Sequence, residues 1–188
     1  NPVFANLVSM EGVVGLSLTD VDLPLGEELY TSGRGQGHID LENLKIQPAG
    51  FLATLIELSS LTTSGTHEVT INSLDFIIKD GRIYYDNFVM AFGKGTRMTF
   101  RGSVGFDGSV ELWVQMPLTL ELLKRFGVKG PLDQYAKLLA LDNIPIEIPI
   151  AGNRLQPKLG KVDLQPIMRN LVRNLLLKHG SEKLGELA

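Results

Sequence analysis

Between Thr96 and Met116 polar and apolar side chains alternate one for one. Met98, Phe100, Val104 and Phe106 fall on one side, and Arg97, Thr99, Arg101 and Ser103 on the other. After Asp107-Gly108 the alternation resumes, with Val110, Leu112, Val114 and Met116 opposite Ser109, Glu111, Trp113 and Gln115. Side chains along a strand point to opposite faces in turn, so a period of two predicts strands at 96–106 and 109–116, each with one face in a core. Upstream, apolar-rich stretches at Glu68–Lys79 and Arg82–Phe92 flank Asp80-Gly81, a pair that tolerates the positive φ angles of a tight type I′ hairpin turn. Gly93-Lys94-Gly95 turns the chain again. The expectation is a four-strand antiparallel meander; burial of Arg97 and Arg101 would mean a register slip of one residue.

The rest of the chain changes period several times. Met10 to Leu23 carries Val13, Val14, Leu16, Leu18, Val21 and Leu23, broken by Gly12 and Gly15, and predicts one or two strands with a bulge. A loop over 24–37 leads to a strand over His38–Ile46, with a bulge where the alternation slips at Glu42-Asn43. From Pro48 to Leu61 apolar residues recur at steps of three and four, which predicts a helix; Glu57 is its only charge. Such a helix is buried on several sides or faces something apolar. Two short helices, 117–126 and 131–141, follow the meander. Ile144 to Ile150 places four isoleucines on one face, with Pro145 and Pro149 predicting an edge strand. A last amphipathic helix spans Leu164–Lys178, and 181–188 forms a frayed tail. The fold class this predicts is α+β: a curved antiparallel sheet with several short apolar or amphipathic helices packed on one face, forming one domain over 1–188.

Bulk composition narrows the functional classes. Hydrophobic residues are 44% and charged residues 21% of the 188, the balance of a globular chain. The net charge of −3 gives no basic field for nucleic acid. There is no cysteine, which removes disulfides, thiolate metal ligands and a cysteine nucleophile. No apolar run reaches the roughly 20 residues that cross a bilayer. The chain starts at Asn1 with no signal peptide, and the expectation is a piece of a longer parent chain.

The search for reactive groups returns little. His38 and Asp40, two apart on a strand, share a face and form half a metal site at most, or a solvated pair. His67 reads as a surface residue at a strand start, and His179 as a helix C-terminal cap. Gly33 to Gly37 and Gly93 to Thr96 resemble phosphate loops, but no helix follows either, so turn glycines are expected. Asp75, Asp80 and Asp86 surround one hairpin and read as a solvated edge. Lys94, Arg97, Arg101 and Trp113 line one polar strip, readable as a basic-aromatic base-stacking face or as a plain exposed sheet face. No G-x-S-x-G elbow and no metal or cofactor motif is present, so no catalytic residue, metal ligand or cofactor is expected, and the expectation is a protein that is not an enzyme.

Three stretches together resemble the C-terminal region of AsmA-type bacterial envelope proteins, which are grouped with repeating β-groove lipid transporters. They are the hairpins Leu74–Phe88 and Phe100–Leu112, the strand Ile144-Pro-Ile-Glu-Ile-Pro-Ile-Ala-Gly152, and Leu155-Gln-Pro-Lys158 followed by the amphipathic helix. The resemblance covers roughly Glu68 to Lys178. The nearly uncharged helix at 48–61 and the two-helix insert at 117–141 depart from it. The resemblance implies a periplasmic or envelope location, a parent chain anchored in the inner membrane, and a role in lipid handling or transport, or in outer-membrane maintenance. Lipid acyl chains and other envelope proteins are the implied partners. The residues themselves point to where an acyl chain would lie: Phe51, Leu52, Leu55 and Ile56 on the apolar helix, facing Met98 and Phe100 on the sheet. Either a dry groove lies between them or they close on each other as an ordinary core. The competing function is a protein-binding scaffold acting through the 144–150 edge strand or the C-terminal helix.

Overall fold

The computed structural model describes residues 7–59, 67–71, 73–92, 96–127, 144–167, 169 and 173. Nine antiparallel strands form one sheet: β1 (Leu7–Asp22), β2 (Arg34–Pro48), β3 (His67–Ile71), β4 (Leu74–Lys79), β5 (Arg82–Phe92), β6 (Thr96–Gly105), β7 (Ser109–Pro117), β8 (Pro145–Asn153) and β9 (Gln156–Leu159). Helix α1 (Gly50–Leu58) follows β2, and α2 (Leu120–Arg125) follows β7. A short 3₁₀ turn over Gly26–Tyr30 lies in the loop between β1 and β2.

The meander has the expected register. Phe100 pairs with Phe88 and Val114, and Val104 with Ile83 and Val110. Met98, Phe100, Val104, Val110, Leu112, Val114 and Met116 are all buried, while Arg97 and Arg101 are exposed. Phe106 is half-buried and falls one residue past the end of β6. At the first hairpin Asp80 and Gly81 take φ of 50° and 69°, as a type I′ turn requires. Only glycine fits there: a Cβ on Gly81 would lie 2.2 Å from the Tyr30 carbonyl oxygen. The turn is also tied to its surroundings, since Gly81 N–H donates to the Ser32 carbonyl at 3.0 Å.

Several boundaries differ from the sequence pattern. The stretch 68–79 is two strands rather than one. β3 and β4 lie end to end in the lane between β2 and β5, with Val69 paired to Leu44 and Asp75 to His38. Pro48 does not start a helix; it ends β2, and α1 begins at Gly50. The helix at 117–126 is shorter, because Pro117 completes β7 and Thr119 caps α2 by accepting from Leu122 N–H at 3.2 Å. The bulge in β2 is where the alternation slipped, at Asn43 with φ 52°. The helix expected at 131–141 lies outside the described residues. So does most of the helix at 164–178; of its stripe, Leu164 is buried and Ile167 half-buried against the core.

The sheet is strongly curved. From β2 to β9 the order runs β2-β3-β5-β6-β7-β8-β9, six inter-strand steps, or about 29 Å if flat at about 4.8 Å each. Helix α1 starts within two residues of β2 and is nine residues long, about 13 Å. It nevertheless touches both α2 and β9. The sheet therefore wraps around the two helices. Leu52, Leu55 and Ile56 of α1 and Leu122 and Leu123 of α2 plug the concave side, with Phe88, Phe100, Ile148 and Met116 beneath them in one apolar cluster. The helices are joined to each other by the Thr119 hydroxyl, which donates to the Leu58 carbonyl.

Candidate functional site

Facing partners in an antiparallel pair share a sheet face, so the register traces the apolar face from one margin to the other. Ile46, Leu44, Leu41 and Ile39 carry it along β2. On β1 their partners are Met10, Val14, Leu16 and, beyond Ile39, Leu18 opposite Gly37. The face is thus continuous from β8 to β1, but its cover is not. Helices α1 and α2 bury it from the C-terminal part of β2 across to β8. On β1 they do not reach it: Met10, Val14, Leu16 and Leu18 are 45%, 54%, 61% and 49% exposed. Next to them Ile39 and Leu41 are only half-buried. β1 is exposed along both faces, with Leu7 alone half-buried.

The expected acyl-chain contacts fall under the helices, not on this strip. Leu52, Leu55, Ile56, Met98 and Phe100 are fully buried in the common core, and Phe51 is half-buried. Of these six residues Phe51 alone reaches an open space. It helps line a cleft of about 850 Å³ between α1, the end of α2 and the stretch from Leu155 to Val162. Phe126, Leu159 and Val162 form its apolar wall, and Arg125, Lys158 and Lys161 supply cations, with no carboxylate in the lining among the described residues. By register Lys158 pairs with Ala151 and stands on the polar face, at the rim. The first turn of α1 forms part of the wall; its N-cap, Ala49, has no side-chain acceptor, and no acidic residue follows it.

The strand expected at the sheet edge is not one over its full length. β8 pairs with β7 throughout and with β9 from Ile150 to Asn153; only Pro145 to Pro149 lacks a second ladder among the described residues. The long margin is β1, which among the described residues pairs only with β2. Sequence reasoning named the apolar residues of β1 but did not pick this strand out, because nothing in the alternation says which strand has a neighbour.

The polar face holds two side-chain clusters. His38 Nδ1 lies 2.6 Å from an Asp75 carboxylate oxygen on β4, and its Nε2 lies 3.2 Å from Asp40. Ser73 donates to the same Asp40 oxygen at 2.6 Å. The hydrogen bond to Asp75 holds His38 above its ordinary pKa, with partial desolvation opposing it; Ser73 and then His38 hold Asp40 below the usual carboxylate range. Both ring nitrogens are engaged, and among the described residues no group of three or more His, Asp or Glu side chains is arranged to hold a metal ion. Asp80 forms the turn, while Asp75 and Asp86 line one open cleft of about 450 Å³ along β4 and β5. The second cluster joins β6, β7 and β8: the Arg101 guanidinium stacks 5.0 Å from the Trp113 ring centroid and pairs with Glu147 at 3.0 Å. On this exposed face Arg101 is thus placed on the aromatic ring and matched by a carboxylate. Lys94 lies outside the described residues.

Two further expectations change. Gly35 and Gly37, expected as turn glycines, are part of β2, and a Cβ on Gly37 would lie 2.1 Å from the Phe76 ring. Phe76 lies flat across that glycine. His67, expected at the surface, stands on the apolar face opposite Ile46, edge-on to Phe92 at 6.2 Å between ring centroids. Among the described residues no helix is long and apolar enough to cross a membrane. No protein-family model, curated protein or solved structure matches this chain.

Proposed function

We propose that this chain is a non-catalytic module of the bacterial cell envelope that handles lipid acyl chains. One observation carries the reading: the apolar face of a curved sheet runs out from under its two helices and continues, uncovered, over β1 and the adjoining part of β2. An exposed apolar area contiguous with a core marks a surface that meets an apolar partner. An acyl chain laid along Met10, Val14, Leu16 and Leu18 gains roughly 0.8 kcal/mol for each methylene it buries. The resemblance of the hairpins and of Ile144–Lys158 to AsmA-type proteins supplies the envelope location and the inner-membrane anchorage of the parent chain.

The test is native mass spectrometry of the purified chain, followed by titration with a fluorescent fatty acid. Co-purifying lipid, and saturable binding that Leu16→Arg abolishes while the melting temperature holds, would support the reading. No bound lipid and no saturation up to the solubility limit of the fatty acid would overturn it.

A second reading has its own observation. Among the described residues the outer edge of β1 has no partner strand, and β1 carries neither proline nor lysine, two of the features that blunt an edge, although its ladder with β2 has three register shifts. A partner strand can add there, which would make the chain a scaffold within an envelope assembly. Binding that depends on the β1 backbone and survives Leu16→Arg would favour this second reading over the first.

A further inference from the structure

We infer that the cleft between α1, α2 and β9 is a head-group site for an anionic lipid, so that the module selects amphiphiles by charge as well as by chain. This rests on the lipid-handling reading and deepens it. The cleft has the two characters such a ligand needs. Phe51, Phe126, Leu159 and Val162 make an apolar wall, and Arg125 and Lys161 stand beside it. Among the described residues neither cation has a carboxylate partner. Both are exposed, and they flank an apolar wall in a chain whose net charge is −3. At about 850 Å³ the space is within the range of small-molecule sites, roughly 300–1,000 Å³.

The pairing of wall and charge decides the ligand class. A fully apolar ligand would leave both exposed cations unmatched by any charge, and a small inorganic anion would leave the aromatic and aliphatic wall against water. An anionic amphiphile satisfies both: its phosphate or carboxylate oxygens accept from Arg125 and Lys161, and the first methylenes of its chain cover Phe51 and Phe126. Arg125 suits the head group in particular, because its planar guanidinium can donate two parallel hydrogen bonds to one phosphate.

The experiment uses the whole chain and three probes: dioctanoyl phosphatidylglycerol, dioctanoyl phosphatidylcholine and inorganic phosphate, each titrated below its aggregation limit. The expected result is binding of the anionic lipid roughly five- to tenfold tighter than of the zwitterionic one, the scale of two exposed charge pairs. Arg125→Glu with Lys161→Glu should abolish that preference, with the larger loss of affinity for phosphatidylglycerol. If the reversed pair lowers the melting temperature, Arg125→Gln with Lys161→Gln, which keeps the stems, replaces it with the same expectation. Equal affinity for the two lipids overturns the head-group site while leaving the lipid-handling reading intact. Inorganic phosphate displacing the lipid head at similar concentration also overturns it, since the cleft would then be a plain anion site. No binding of either lipid overturns both. Anionic binding that is lost in the charge variants but untouched by Leu16→Arg supports the cleft and removes the β1 strip from the proposal.

Discussion

β7 and β1 are written in the same alternation and end in opposite surroundings. Val110, Leu112, Val114 and Met116 on β7 are at most 2% exposed, whereas Met10, Val14, Leu16 and Leu18 on β1 are each close to half exposed or more. The chemistry of the two sets is nearly interchangeable. What differs is their place in the sheet: β7 has a strand on each side and two helices above, while β1 has one neighbour and no described cover. Alternation therefore selects a face for the core, and topology decides whether the face gets one. The β1 strip keeps its apolar side chains although they contribute little to the stability of this domain.

The largest test of the contrast lies under the helices. Phe100→Ala removes a fully buried ring that meets Phe88 at 5.7 Å, and should cost about 3–5 kcal/mol in denaturant unfolding. A loss below about 1 kcal/mol would mean that the helices do not close on the sheet. Leu55→Arg places a charge in the same region and should prevent folding outright, so it cannot report on ligand binding.

Gly37→Ala probes the border between the regions. Its Cβ would meet the Phe76 ring, and overpacking of this kind costs about 1–3 kcal/mol. A double variant with Phe76→Leu should recover most of the loss in a thermal melt. Failure to recover would place the strain in the backbone rather than in the ring.

Leu16→Ser belongs to the uncovered margin and should change stability by no more than about 0.5 kcal/mol. If it destabilises the domain as strongly as a core substitution, β1 is covered in solution and the contrast fails.

The smallest effect concerns the polar face, where the β2–β4 lanes meet. The folded-state pKa of His38 is raised above its ordinary value of about 6.5, first by Asp75. A raised pKa means that the folded state binds the proton more tightly, so the associated stabilisation is complete at low pH and fades as pH climbs through the folded-state value. Asp40, held low, acts in the reverse sense, and its contribution falls as the carboxylate protonates in acid. NMR titration of the His38 ring should show a midpoint above that of a free histidine, and Asp75→Asn should bring it down. An unshifted midpoint in the unaltered chain would remove the cluster from the account.

Much of this molecule is determined by its sequence alone. The period of two selects the faces of β6 and β7; Asp80-Gly81 sets the register of the hairpin, because few other pairs accept two positive φ angles; the slip at Glu42-Asn43 marks the bulge; and the nearly uncharged run after Pro48 becomes a buried helix. These are local properties, decided by φ, ψ and side-chain parity over a few residues. Tertiary structure alone decided the rest. It divided 68–79 into two strands that share a lane, joined Arg101 to Glu147 across two strand boundaries, gave β8 a partner over part of its length, and left β1 without a cover. It also brought Phe51 and Arg125 to the wall of one cleft with Lys161. Those outcomes depend on which elements meet after the sheet curls, and curvature arises from twist and packing accumulated over all nine strands. No window of the chain contains that sum, so the apolar pattern of β1 reads like a core strand until the fold shows that nothing described lies above it.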